Sequence, residues 1–210
     1  MLIIVNYLKV NYLSTKELKK NNIIENALKL FSTKGFYNTT IPDIAKAMKM
    51  SVGNMYNYFS SKEELAKYAI RYSTNILAIE LRKINQMEIS SKEKIFLFTK
   101  QYLENVKNSP EIIEYFLRVY LSNREVFAKG CEGFLCVSEF VTEVMIFLDE
   151  GANSGEFREQ DFFTAFAMIM GCLGGFAFLS GEKVLDKDLL QYSDGIAENI
   201  FRALKSDEAI

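Results

Sequence analysis

The chain has 210 residues with 25 Lys+Arg and 27 Asp+Glu, a formal net charge of −2. Hydrophobic residues make up 49%, enough for a packed core in one or two domains and too rich for long-range disorder. Histidine is absent. That excludes Ser-His-Asp and Cys-His catalysis and His-ligated zinc, and with no nucleotide-binding loop neither catalysis, metal nor cofactor is expected.

Charge is distributed unevenly. Residues 1–72 carry 11 Lys+Arg against 5 Asp+Glu, a net +6, and the remainder a net −8. A basic front end on an acidic body points to an anionic partner for the front end, nucleic acid being the usual candidate. With only 2 prolines and 11 glycines, the chain favours long helices and an all-α fold.

Met1–Leu13 is apolar but short, contains Lys9, and lacks both the basic start and the small-residue cleavage site of a signal peptide. Residues 1–16 form an extension of unassigned role. Thr15–Lys34 reads as the first helix, with Ile24, Ala27, Leu28 and Phe31 on one stripe and Gly35 as its stop. Thr40 caps a second, carrying Pro42 and Asp43 in its first turn and running to about Met48. Ser51 caps a short third helix to about Phe59, and Ser60 or Ser61 a fourth that opens Lys62-Glu63-Glu64-Leu65.

Two short capped helices with a brief turn over residues 40–59 make a helix-turn-helix pattern. A recognition helix needs small and hydrogen-bonding side chains on its outer face near its N-terminus. Val52, Gly53, Asn54 and Asn57 supply that face, while Met55 and Phe59 point inward. Gly53 lets the backbone approach a duplex closely. The N–H groups near Thr40 and Ser51 suit phosphate oxygens, and Tyr56, Tyr58 and Lys62 add phosphate donors. Tyr56 and Tyr58 could equally be core residues.

Further helices follow over Ser91–Lys107, Pro110–Leu121 and Glu125–Asp149, the last with Val137, Phe140, Val141, Val144 and Leu148 in register. Gly151–Gly155 reads as a loop, Gln160–Leu179 as a helix and Asp188–Leu204 as the closing helix. Between Asp161 and Glu182 no residue is charged, and residues 162–181 are long enough to span a bilayer. No Lys/Arg cluster or aromatic belt flanks them. A helix buried on all sides or at a dimer interface is therefore expected, with a membrane-anchored protein as the alternative. Cys131, Cys136 and Cys172, odd in number and loosely spaced, are expected as reduced core residues. A thiol sensor built on Cys131 and Cys136 is the competing reading.

Of the 17 phenylalanines, 14 lie beyond residue 77. Most must be core, but the excess, with Met145, Met168 and Met170, also suits an apolar ligand pocket. Tyr102, Phe116, Tyr120, Phe134 and Phe166 are expected as its walls. Arg118 is expected to pair with Glu114 four residues earlier rather than to anchor a ligand.

The string Phe31–Leu65, with Gly35-Phe36, Thr39-Thr40-Ile41, Asp43-Ile44-Ala45, Ser51-x-Gly53, Tyr56-x-Tyr58-Phe59 and Ser61-Lys62-Glu63-Glu64-Leu65, resembles the DNA-binding domain of the TetR family of bacterial transcriptional regulators. The resemblance implies a three-helix DNA-binding domain over residues 17–77 and a helical ligand-binding and dimerisation domain over 78–210. It implies a cytoplasmic homodimer that binds a palindromic double-stranded DNA operator, usually as a repressor, and releases it to a small-molecule effector. By the same resemblance Thr40, Ser51, Gly53, Tyr56 and Lys62 contact phosphates, and Val52, Asn54 and Asn57 lie nearest the bases. The last two long helices pair across the dimer axis, with Gly171, Gly174, Gly175, Ile196 and Ile200 at the interface. The sequence departs from the family at the interhelix turn, where Lys49 stands in place of glycine, and at Val52, where Lys or Arg is frequent.

Overall fold

The computed structural model describes residues 14–127, 131 and 135–207. Met1–Leu13 and Phe134 lie outside the described residues, as do the side chains of Phe116 and Arg118. The structure is helical, and among the described residues the sole β feature is an isolated antiparallel bridge between Phe157 and Lys205. The chain divides into two compact units at Ala69/Ile70.

The first unit is built from caps. Helix α1 is Thr15–Lys34. Its cap is reciprocal: the Ser14 hydroxyl accepts from Glu17 N and the Glu17 carboxylate accepts from Ser14 N. Ile23, Ile24, Ala27, Leu28 and Phe31 form its buried stripe. Gly35, at φ 82°, ends it with its N–H on the Phe31 carbonyl. Helix α2, Ile41–Ala47, starts on Thr40, and α3, Val52–Tyr56, on Ser51. Between them the Lys49 and Met50 N–H groups return to the carbonyls of Lys46 and Ala45, a Schellman closure. Lys49 occupies its left-handed position at φ 54°, where glycine is the cheaper residue.

Helix α4, Lys62–Asn85, begins in the first unit and ends in the second. The second unit continues with α5 (Ser91–Asn108), α6 (Pro110–Glu114) leading into a π-helical turn at Tyr115–Tyr120, and α7 (Arg124–Phe127). It closes with α8 (Ser138–Asn153), α9 (Phe162–Gly181), a 3₁₀ turn at Leu189–Tyr192 and α10 (Ser193–Leu204). The core is α5 packed against α10, with α8 and α9 flanking. Buried Glu143 on α8 is held by Arg82 Nε (2.7 Å) and Asn85 Nδ2 (3.2 Å) from the end of α4, so its charge is paired rather than stranded.

Three expectations are corrected here. The single helix expected over Glu125–Asp149 is broken into α7 and α8, because Cys131 and Cys136 form a disulfide with their Cα atoms 4.9 Å apart. Five helical steps would separate them by about 7.5 Å along the axis, so an α-helix and this bond are incompatible. The same bond replaces the expected pair of reduced thiols; Cys172 is free. Finally, the loop expected at Gly151–Gly155 starts later, since α8 continues to Asn153. Gly151 is there for packing: a Cβ on it would sit 2.1 Å from the Phe157 ring.

Candidate nucleic-acid interface and effector cavity

In the first unit the expected outer face is in place. Val52, Gly53, Asn54, Tyr56 and Asn57 are exposed, while Met55 and Phe59 are each 1% exposed and lock α3 to the core. Asn57 Nδ2 lies 3.4 Å from Asn54 Oδ1, so the two amides form one polar strip. A Cβ added at Gly53 would meet no atom within 4 Å, and its φ is not positive. The fold therefore does not require glycine there.

The caps are more occupied than the sequence suggests. Ser51 Oγ accepts from Asn54 N (3.2 Å). Thr40 Oγ1 accepts from Asp43 N and donates to the Asp43 carboxylate (2.7 Å), which also accepts from Thr40 N. These bonds from Thr40 hold the Asp43 pKa below its ordinary value. Both hydroxyls stay on the exposed surface beside the helix starts. Tyr56 is 53% exposed and thus not core, and Tyr58 is half-buried. Lys62 Nζ donates to the Phe36 carbonyl and stands over the Phe36 ring. Tyr37, 64% exposed beside the α2 cap, had no role in the sequence reading. Its signal is an aromatic residue placed just past the Gly35 stop, outside any helical stripe.

In the second unit a cavity of 370 Å³ opens among α4, α5, α6, α8 and α9. Of the expected walls, Tyr102, Tyr120 and Phe166 line it. Phe134 and the Phe116 side chain lie outside the described residues. Met170 on α9 lines it too, whereas Met145 and Met168 do not; Ser73, Thr74 and Leu77 on α4, Ile112 and Ile113 on α6, and Phe140 and Val141 on α8 are walls that the sequence alone does not single out. Several lining residues repeat at i, i+4 (Ser73 and Leu77, Phe166 and Met170), a spacing that core residues share and that cannot mark a pocket by itself. Burial pushes the Tyr102 phenol pKa up, so it remains a neutral donor.

Helix α9 is not buried on all sides within its own chain. Ala165, Ile169, Leu173 and Ala177 face inward at four-residue spacing, whereas Phe163 and Phe178 are 60% and 57% exposed and Gly171 and Gly175 are open. Gly174 is half-buried. By length and composition α9 could also cross a membrane. Ile196 and Ile200, expected at a dimer interface, are each 2% exposed within the protomer. They pack the inner face of α10 and present nothing to a partner.

The chain's likenesses fit this architecture. Residues 23–69 match the family described as bacterial regulatory proteins, tetR family. The biofilm operon icaADBC negative transcriptional regulator IcaR of Staphylococcus aureus is 28% identical over 106 residues, 49% of this chain and 52% of that protein. The match thus spans about half the length of the curated relatives. The fold extends further: the fatty acid degradation regulator FadR from Bacillus halodurans superposes with a TM-score of 0.77 at 20% identity, over 91% of this chain and 97% of that one. FadR from Bacillus subtilis, in complex with stearoyl-CoA, does so with a TM-score of 0.75 at 20% identity, over 90% and 97%. Residues 23–69 thus form a DNA-binding domain of the tetR family of bacterial regulatory proteins, on a chain whose helical fold is shared with solved regulators.

Proposed function

We propose that the protein is a ligand-responsive transcriptional repressor that acts in the cytoplasm as a homodimer. The α3 helix of each subunit enters successive major grooves of a palindromic operator, about 34 Å apart. Val52, Asn54 and Asn57 face base edges, and Thr40, Ser51, Gly53, Tyr56, Tyr58 and Lys62 hold phosphates. The observation that carries this reading is the open space over Gly53. A glycine that folding does not need, centred on an exposed polar face, is explained by a partner that must come close.

The second copy covers the open side of α9, where Gly171, Gly174 and Gly175 lie among exposed phenylalanines on an uncharged helix. A small, largely apolar effector occupies the cavity lined by Tyr102, Tyr120 and Phe166. The stearoyl-CoA in the Bacillus subtilis FadR complex is in keeping with an apolar chain as the effector. An effector that prefers the conformation with the wrong groove spacing weakens operator binding. DNA then weakens effector binding by the same factor, typically about 1–3 kcal/mol of coupling.

The test is titration against the DNA flanking the protein's own gene and against a scrambled fragment, at two salt concentrations, with Tyr56→Ala alongside. Specific binding that weakens with salt and with the variant is expected. Equal weak binding to both fragments would count against the reading. The exposed apolar side of α9 also favours a membrane-anchored protein; recovery in the membrane fraction and a need for detergent would establish that instead.

A further inference from the structure

The cavity of the second unit carries more information than its apolar character. Among the described residues lining it, none is charged. Against these described residues a carboxylate or phosphate would lose its hydration with no cation among them to replace it, which costs several kcal/mol. The polar groups present are hydroxyls, and they differ in what they already do. Thr74 Oγ1 is committed to the carbonyls of Ile70 (2.9 Å) and Cys136 (3.2 Å). Ser73 is 1% exposed, and its Oγ is buried with no hydrogen-bond partner. Ser73 lines the cavity, and rotation about its Cα–Cβ bond can turn this orphaned hydroxyl, a donor in need of an acceptor, toward it. Tyr102, 2% exposed on α5, also lines the cavity.

Resting on the effector reading above, we propose that the cavity binds an uncharged, mostly aliphatic molecule bearing one carbonyl-type acceptor, which takes its hydrogen bond from Ser73 Oγ. At about 30 Å³ per water-sized group, 370 Å³ holds about twelve non-hydrogen atoms. That is the size of a medium-chain ketone, ester or lactone. The matching carboxylic acid, ionised at neutral pH, is rejected.

The probes are 2-undecanone and decanoate, equal in size, titrated calorimetrically at pH 7 into the full chain. The ketone is expected to bind at least about tenfold more tightly than decanoate. Ser73→Ala is expected to weaken the ketone about tenfold while raising the melting temperature of the ligand-free protein, because it removes an unsatisfied buried hydroxyl. A purely structural serine would not give opposite signs in the two measurements. Thr99→Val is the control: Thr99 Oγ1 is also buried and unpartnered but does not line this cavity, and its ketone affinity should be unchanged. Tighter binding of decanoate, ketone affinity indifferent to Ser73→Ala, or no binding of either probe would overturn the proposal. Operator binding is measured separately without probe. A protein that binds operator but not ketone therefore defeats this inference alone, and one that binds ketone but no DNA defeats the regulator reading alone.

Discussion

Lys62 Nζ donates to the Phe36 carbonyl at 2.9 Å and stands 4.3 Å from the centroid of the Phe36 ring. The lysine is thus part of the scaffold that sets α1 against the start of α4, and its ammonium keeps two further donors. Lys62→Met should separate the two roles. It should destabilise the protein by about 1 kcal/mol through the lost carbonyl and ring contacts, read by urea denaturation. In the proposed complex it should also lower the salt slope of operator binding by about 1. Destabilisation with an unchanged slope would assign Lys62 to structure only.

Lys49 holds a left-handed backbone at the turn between α2 and α3. Lys49→Gly should stabilise the protein by at most about 1 kcal/mol, the relief of strain being partly offset by the added freedom of the unfolded chain. Chemical denaturation of the pair of proteins reads this directly. A loss of stability would mean that the lysine side chain makes compensating contacts.

Glu80 on α4 is 8% exposed and accepts from Asn105 Nδ2 at 2.6 Å. Burial raises its pKa from 4.5 to about 7, with Glu104 pushing in the same direction, while the Asn105 bond and Lys83 oppose it. The folded state therefore holds a proton that the unfolded chain releases at lower pH. Between about pH 4.5 and 7 this group's contribution falls as pH rises, to a loss of roughly 3 kcal/mol above 7. Glu80→Gln, which keeps an acceptor for Asn105, should flatten that part of the stability profile and stabilise the protein at pH 8. Unchanged pH dependence would show that Glu80 is solvated in solution.

The Cys131–Cys136 disulfide gives a thiol count. Denatured without reductant, the oxidised protein should show one reactive thiol, Cys172, and three after reduction. Removing this short loop closure should cost about 2 kcal/mol. Because Thr74 Oγ1 bonds the Cys136 carbonyl and Thr74 also lines the cavity, Cys131→Ser should weaken binding at the cavity as well as stability. Three thiols in the protein as isolated would place the pair in its reduced form.

Gly175 on α9 has open space where a Cβ would stand. Gly175→Leu should leave the protomer folded, and even favour the helix, while holding a second α9 away. Sedimentation velocity should show a dimer for the parent protein and a monomer for the variant, with matching circular dichroism. A dimer that survives would move the interface to another face.

The first unit was legible because its signals are local. Thr40, Asp43 and Ser51 fix helix starts by bonds to their own third neighbours, and the stripe Ile24–Ala27–Leu28–Phe31 fixes the buried face of α1. The second unit was legible only as helices. The α8 stripe of Phe140, Val141 and Val144 is real, but periodicity carries it backwards past Cys136 and Cys131, whose bond no unbroken α-helix permits. Spacing alone could not reveal that bond. Ile196 and Ile200 were assigned to a partner for the same reason: an apolar stripe states that a face is covered, not by which chain. The cavity walls converge from five helices, and no run of residues records that convergence.

Gly53 and Gly151 are the same residue under opposite constraints. At Gly151 a single methyl would strike the Phe157 ring, so folding polices the position. At Gly53 folding is indifferent, and left to foldability alone the codon would be free to drift to alanine, the better helix former. A selection that scores only soluble expression should therefore let Gly53 wander while purging changes at Gly151. A selection for what the α3 face must meet should hold both, and the difference between the two selections isolates the pressure that comes from outside the molecule.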